Sequence, residues 1–119
     1  MAGIALFRGS MHVMEWANEE LLALSPRPCV GIPMRESFPE PEFAEPINAM
    51  DAVFHGAGII KIARPYGTLI LGPRTDARGR VFGVASWFLL DEAKVAARPA
   101  PTLLVLPGLG GLLAGLGGG

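Results

Sequence analysis

Few side chains in this sequence are of the types that catalyse reactions. The chain has one cysteine, Cys29, and two histidines, His12 and His55. A thiol becomes a nucleophile when a neighbouring base deprotonates it and a third group orients that base. Cys29 lies between Pro28 and Val30 with no such signature around it. The sequence therefore predicts an inert, partly buried thiol and no catalytic residue.

A metal site is the second kind of chemistry to consider. His12 and Glu15 are three residues apart and would share one face of a helix. Two ligands do not complete a zinc site, and no second cluster of ligands accompanies them in the sequence. We therefore predict no metal site and no cofactor, and we interpret the pair as part of a solvated helix face.

The main basic cluster consists of Arg74, Arg78 and Arg80. Guanidinium groups at this density can bind phosphates or carboxylates. Asp76 lies among them, so the alternatives are a solvated loop or a loop that pairs with the acidic residues of segment 36–45. We retain the three arginines as candidate contacts to an anion or to a partner protein.

The charge balance limits the classes of partner. The 119 residues carry a net charge of −1, which makes nucleic acid an unexpected partner. Segment 11–55 holds eight acidic and two basic residues, whereas segment 56–98 holds seven basic and three acidic ones. This asymmetry favours packing of the two segments against each other or association with another copy of the chain.

A helix over 11–24 is the first element that the pattern predicts. Ser10 is placed to cap its first turn, and the bond before Pro26 ends it. The apolar residues of this stretch recur at helical spacing. They are Met14, Ala17, Leu21 and Leu24.

Two further segments complete the predicted body of the protein. Residues 25–46 contain six prolines and are predicted to form an extended arm, partly polyproline II. Residues 56–90 predict a small antiparallel β-meander, with a turn at Arg64–Gly67. In the run 80–90 both the odd-numbered and the even-numbered positions are mostly apolar. A strand there would have two apolar faces, and both would have to be buried. Strand and helix stay open as alternatives for 86–97.

The C-terminal tail (residues 99–119) contains no charged residue. Its length suffices to span a membrane, but seven glycines and three prolines disfavour a spanning helix. The alternative is a short strand followed by a segment bound to a partner. Its candidate contacts to a partner or to a membrane are Leu103, Leu104, Leu106, Leu109, Leu112 and Leu113.

These observations predict an α+β protein: one small domain over 1–98, consisting of an N-terminal helix, an extended proline-rich arm and an antiparallel meander, and an apolar glycine-rich tail. We expect a non-enzymatic structural or accessory subunit that packs into a larger assembly through its arm and tail. Its expected partners are other protein subunits or copies of itself, and its expected location is the cytoplasm. The alternative function is membrane association through 99–119, and a small enzyme ranks last. The motifs identify no known family.

Overall fold

The computed structural model describes residues 2–93, which form a five-stranded antiparallel sheet with short helices on one side. The strands are β1 (Ala2–Arg8), β2 (Val13–Ala17), β3 (Ile60–Arg64), β4 (Gly67–Thr75) and β5 (Val81–Leu90). The helices are α1 (Glu19–Leu24), α2 (Met34–Ser37), a 3₁₀ turn (Pro41–Phe43) and α3 (Ala44–Phe54).

The strand order β2-β1-β5-β4-β3 brings the two ends of the described chain together. β1 and β2 form one antiparallel pair, the helical segment follows, and β3, β4 and β5 form a meander. β5 then pairs with β1 from Ala2↔Leu89 to Arg8↔Gly83. The last strand is therefore the middle strand of the sheet.

One face of the sheet packs against the helices and forms the core. Along β1 and the first half of β4 alternate residues point to this inner face, as a pleated strand requires. The helices contribute the other half of the core. The residues most completely buried include Phe7, Phe43, Met50, Val53, Leu71, Val84 and Phe88.

The predicted N-terminal helix over 11–24 is wrong in its first half, where residues Val13–Ala17 form β2. A bulge explains the misleading pattern. Leu6 pairs with Trp16 and Phe7 pairs with Met14, so Glu15 is an extra residue in β2. The bulge places the buried residues Met14 and Ala17 three positions apart, which imitates helical spacing. Only Glu19–Leu24 is helical.

The cap of this short helix also differs from the predicted one. Ser10 lies in the turn between β1 and β2, and Asn18 is the N-cap of α1. The Asn18 Oδ1 atom accepts hydrogen bonds from the amides of Leu21 at 3.0 Å and Ile4 at 2.9 Å. Its Nδ2 atom donates to the Ala2 carbonyl at 3.0 Å. One side chain therefore caps the helix and ties it to β1.

The predicted extended arm over 25–46 is also wrong, because most of its second half is helical. Proline lacks an amide hydrogen, which the first turn of a helix does not need. Pro33 directly precedes α2, Pro41 begins the 3₁₀ turn, and Pro46 lies in the first turn of α3. These prolines lie at the starts of helices. The number of prolines in the segment, taken alone, had predicted that no helix forms there. The predicted α+β layout is thus replaced by a mainly antiparallel sheet with few short helices.

The strands of the predicted meander are present as β3, β4 and β5. The sequence left strand and helix open for residues 86–97. The structure shows a strand up to Leu90, the last residue of β5. Leu90 is followed by Asp91, whose amide donates to the Tyr66 carbonyl at 2.8 Å. The C-terminal tail, with the six leucines predicted to contact a partner or a membrane, lies outside the described residues.

Candidate interaction surface

The face of the sheet turned away from the helices carries a continuous row of apolar side chains. Ile4, Trp87 and Ile70 are direct partners across β1, β5 and β4. Directly paired residues of an antiparallel sheet point to the same face, so these three side chains lie side by side. Trp87 is 39% exposed, whereas the next residue, Phe88, is 2% exposed on the inner face.

Two neighbouring rows enlarge this apolar surface. Trp16, which is 49% exposed, pairs with Leu6, and Leu6 pairs with Ala85 on its other side. Leu89, which is 43% exposed, pairs with Ala2 and Thr68. We call this surface the outer face. It consists of Ile4, Leu6, Trp16, Ile70, Trp87 and Leu89.

The outer face accounts for the two-sided apolar pattern of β5. The sequence indicated that this strand needs cover on both sides. The helices cover its inner face, whereas on the other face Trp87 and Leu89 stay 39% and 43% exposed within residues 2–93. Exposed large apolar side chains that cluster, unlike scattered ones, mark interaction surfaces.

One end of the outer face is polar and held by a charged cluster. Arg8 and Arg74 both bond to Glu15, each at 2.7 Å. Both guanidinium groups also lie over the Phe82 ring, 4.8 and 4.7 Å from its centre, which is a cation–π arrangement. The hydrogen bond from Arg8, reinforced by that from Arg74, lowers the pKa of the Glu15 carboxyl. Arg74 also donates to the Phe7 carbonyl at 2.9 Å.

The structure separates the three arginines that the sequence grouped. Arg74 belongs to β4 and to the cluster around Glu15, whereas Arg78 and Arg80 lie beyond β4, in the connection to β5. Asp76 accepts hydrogen bonds from the amides of both Arg78 and Arg80, at 2.8 and 3.0 Å. The Arg80 side chain lies 3.7 Å from the Asp76 carboxylate. Their proposed contact to an anion or a partner stays a prediction.

The side chains considered for catalysis form no catalytic pair within the described residues. Cys29 is buried and lies 3.6 Å from the Ser25 hydroxyl. His55 ends α3, where its Nδ1 atom lies 3.0 Å from the Asp51 carbonyl oxygen. His12 and Glu15 do not share a helix face, because His12 lies in the turn before β2.

His12 belongs to a polar network between the turn and the helices. It is fully buried and has a backbone φ of 53°, which is unusual for a residue other than glycine. Its Nε2 atom lies 2.7 Å from an Asp51 carboxylate oxygen, and Arg35 donates to the other oxygen at 2.9 Å. Partial burial of Asp51 acts to raise its pKa, but the hydrogen bonds from Arg35 and His12 outweigh this and lower it.

The interior holds a small cavity of about 30 Å³. Water requires about 10–15 Å³ on the same measure, so the cavity has room for one or two water molecules. The lining is apolar except for one serine hydroxyl, and three methionines contribute to it. The lining residues include Met14, Met34, Met50, Phe38, Leu71 and Ser86.

None of the helices within 2–93 combines the length and the hydropathy needed to cross a bilayer. No group of three or more histidine, cysteine, aspartate or glutamate residues in that range is arranged to hold a metal ion.

Comparison with solved structures identifies this arrangement of strands and helices. A sensory box sensor histidine kinase from Vibrio cholerae superposes with a TM-score of 0.63 and 16% identity, over 76% of this chain and 80% of that one. The PAS domain of histidine kinase ThkA superposes with a TM-score of 0.57 and 16% identity, over 74% of this chain and 98% of that one. The chain has a PAS-like fold. No protein-family model and no curated protein matches the sequence.

The PAS-like fold shows which functional features sequence analysis missed. The outer face depends on β1 and β2, which the sequence did not predict, so Trp16 was not grouped with Trp87. The predicted helix over 11–24 likewise placed Asn18 inside a helix, whereas Asn18 caps α1 and fixes it to β1. The signal that could have found the surface is the second apolar set of β5, Trp87 and Leu89.

Proposed function

We propose that this PAS-like domain is a non-enzymatic signalling module that acts by binding another protein through its outer face. The observation that carries this proposal is the cluster of Trp16, Trp87 and Leu89, between two-fifths and one-half exposed on one continuous surface. The two solved structures compared above are described as a sensor histidine kinase and a PAS domain of a histidine kinase, which supports a role in signalling.

The composition of the outer face supports a protein partner. Burial of apolar surface contributes about 25 cal/mol per Å², so tryptophan and leucine side chains left in water favour association. Tryptophan and arginine are also the residues that most often dominate binding energy at protein interfaces. Here Trp87 lies on the middle strand β5, Trp16 lies on the edge strand β2, and Arg8 and Arg74 lie at the polar end of the surface. This is the usual arrangement of an apolar centre with a polar rim.

The polar network around the buried His12 is better explained by a structural role than by catalysis. A catalytic site requires a nucleophile, a base and an orienting group within hydrogen-bond distance of one another. The buried histidine, His12, is instead bound to Asp51, which is itself bound to Arg35 on α2. The network therefore joins the β1–β2 turn to two helices, and we assign it to stability.

Introduction of a positive charge on the outer face tests the proposal. Leu89 and Leu22 are both 43% exposed, but Leu22 lies on α1 and Leu89 on the outer face. We expect Leu89→Lys and Trp87→Lys to abolish crosslinks to the partner and to lower the mass measured by light scattering on native extracts. Leu22→Lys should behave as the unaltered chain. A monodisperse monomer without a co-purifying partner, or equal behaviour of all variants, would refute the proposal.

A further inference from the structure

The two edges of the sheet differ in how far the chain itself pairs with them. β2 is one edge strand, and residues 30–33 run beside it, where the Gly31 amide donates to the Met14 carbonyl at 2.7 Å. β3 is the other edge strand, and among residues 2–93 it pairs with β4 alone. An open edge presents unpaired amides and carbonyls to any strand that can approach it.

The pairing with β4 determines which backbone groups of β3 face outward. Arg64 and Gly67 pair across the two-residue turn that joins the strands, so they form a hydrogen-bonded pair, and such pairs recur at every second residue of β3. Lys61 and Ala63 lie at the alternate positions. Their amides and carbonyls therefore point away from β4, and no hydrogen bond to them forms within residues 2–93. The edge offers two donors and two acceptors to another strand.

A groove runs along this edge on the side of the helices. Its volume is about 840 Å³, and it lies between β3 and the α3 residues Glu45, Asn48 and Ala49. A strand added to β3 would place alternate side chains in this groove, near Ala49, Ile60 and Ile62. Ala49 and Ile60 are partly buried and pack against the core, so the groove favours apolar side chains at these positions.

The charge at this edge favours an acidic partner over a second copy of the chain. The exposed Lys61 pairs with Ile70, so its side chain lies on the side of the sheet away from the helices. The ion pairs formed within residues 2–93 leave its ammonium group without a carboxylate. Antiparallel pairing of two such edges would align Lys61 with Ala63 of the other copy and make the two lysines diagonal neighbours on one face. Lysine on an edge strand opposes such self-pairing, whereas an acidic residue opposite Lys61 forms a favourable cross-strand pair.

We propose that the open edge of β3 binds an extended segment of another protein, which adds a sixth strand to the sheet. The segment alternates apolar side chains, which enter the groove beside α3, with polar ones, and it places a glutamate or aspartate opposite Lys61. Backbone hydrogen bonds supply the affinity of such strand addition, and the alternate side chains supply its specificity. The inference does not rest on the function proposed above, because the outer face binds through side chains and this edge binds through the backbone.

A peptide of this pattern tests the inference on the full chain. The probe is Val-Thr-Val-Glu-Val-Thr-Val with blocked ends, and the matched control peptide has lysine in place of the glutamate. At a probe concentration about ten times its Kd, hydrogen exchange at the Lys61 and Ala63 amides should slow about tenfold in NMR measurements. The lysine peptide should bind several-fold more weakly. Absence of binding, unchanged exchange at both amides, or equal affinity of the two peptides would overturn the inference.

Two substitutions separate the contributions of backbone and charge. Ala63→Pro removes an outward amide and places a ring in the path of the added strand, but it removes no hydrogen bond to β4. It should abolish binding of the probe, with circular dichroism as the check on folding. Lys61→Glu should reverse the preference, so that the lysine peptide binds several-fold more tightly than the probe. Arg78→Glu changes the net charge equally in the β4–β5 connection and should keep the original preference. Full binding by Ala63→Pro, or an unchanged preference in Lys61→Glu, would overturn the inference.

The full chain without peptide distinguishes the other occupants of the edge. Exchange at the Lys61 and Ala63 amides that slows as the protein concentration rises would show that a second copy pairs with β3. Exchange that is already slow at every concentration would show that the chain covers this edge itself. Either result would overturn the inference.

The proposed function is measured separately. Leu89→Lys alters the outer face, and β4 lies between Leu89 and β3. This variant should bind the probe as the unaltered chain does. If the probe fails to bind while Leu89→Lys still abolishes the crosslinks, the inference fails and the proposed function stands. If the probe binds while Leu89→Lys leaves the crosslinks intact, the inference stands and the proposed function fails.

Discussion

Single residues control how closely the strands of this sheet approach. A Cβ atom on Gly83 would overlap the Phe7 carbonyl oxygen of β1, which is backbone and cannot move away without breaking the pairing. A Cβ atom on Gly72 would meet only side-chain atoms of Ile59 and Trp87, at 3.7 and 3.9 Å. Glycine at position 83 is therefore required for strand pairing, whereas position 72 accommodates a methyl group in ordinary van der Waals contact with its neighbours.

The first prediction follows from this contrast. Gly83→Ala should lower the free energy of unfolding by about 1–3 kcal/mol, because the added methyl group forces β5 and β1 apart. Gly72→Ala, the matched control, should change it by about 0.5 kcal/mol or less. Urea denaturation monitored by circular dichroism measures both. Equal stability of the two variants would contradict the strand pairing described for β1 and β5.

A second prediction at this scale concerns the acid stability contributed by Asp51. Its hydrogen bonds from Arg35 and His12 lower its pKa in the folded protein below the value of about 3.9 in an unfolded chain. A lowered folded pKa stabilises the protein above the unfolded pKa, and this contribution is lost as the pH falls through the folded pKa. The side chain is 40% exposed, so the contribution is modest.

The variant Asp51→Asn reports this contribution. The difference in unfolding free energy between the unaltered chain and Asp51→Asn should be largest near pH 6 and should shrink as the pH falls below about 4. Denaturation with urea at pH 6, 4, 3 and 2 gives the profile. A difference that stays constant over this range would show that the Asp51 carboxylate contributes nothing as a charged group.

At the scale of elements, Asn18 connects the hairpin to the first helix. Its side chain accepts from the Ile4 and Leu21 amides and donates to the Ala2 carbonyl, so it continues the pairing of β1 and begins α1. α1 is only six residues long and has no independent stability at that length. Its position therefore depends on this cap and on the burial of Leu21 and Leu24.

The third prediction tests this connection. Asn18→Ala should cost about 1–2 kcal/mol of stability and should increase hydrogen exchange at the amides of Ile4 and Leu21, because both lose their acceptor. Asn18→Asp keeps an acceptor oxygen at the cap and should keep most of the helix. Amide exchange followed by NMR separates the two variants. Unchanged exchange at both amides in Asn18→Ala would contradict the assigned role.

The proline-rich segment is held to the helices by a second connection of this kind. Arg27 donates to the Ser37 carbonyl at 2.5 Å and forms two hydrogen bonds to the Glu40 carboxylate. The hydrogen bond from Arg27 lowers the pKa of Glu40. The sequence predicted an extended arm here, whereas these contacts fix the segment against α2 and the 3₁₀ turn.

At the scale of the whole molecule, the two faces of the sheet have different roles. The inner face and the helices form one core, which is the source of stability. The outer face contributes apolar surface that the described residues leave partly exposed. Trp87 and Phe88 are adjacent in sequence and lie on opposite faces, so they separate the two roles within one strand.

The fourth prediction uses this pair. Phe88→Ala should cost about 3–5 kcal/mol, because it leaves a cavity in the core, and this amounts to a large part of the stability of a small domain. Trp87→Ala should cost much less, since the ring is 39% exposed, but it should weaken partner association. Thermal denaturation and crosslinking of the two variants give both readouts. Equal loss of stability would mean that the outer face is part of the folding core.

The sequence by itself determined the parts of this protein that depend on neighbours in the chain. The antiparallel pairs of β3, β4 and β5 join segments separated by short turns, and alternation of apolar residues was enough to indicate them. The absence of charge in the tail is likewise a property of the sequence alone. Only the tertiary structure decided that β5 lies beside β1, because that pairing joins residues about 80 positions apart and leaves no local pattern.

The same physical reason explains the two errors and the missed surface. The bulge at Glu15 gave β2 the spacing of a helix, and only its pairing with β1 shows it to be a strand. The prolines of 33–46 were interpreted as breaking regular structure, although Pro33 directly precedes α2 and Pro46 lies in the first turn of α3, where a missing amide hydrogen costs nothing. Trp16 and Trp87 share the outer face only because two distant hairpins meet in one sheet.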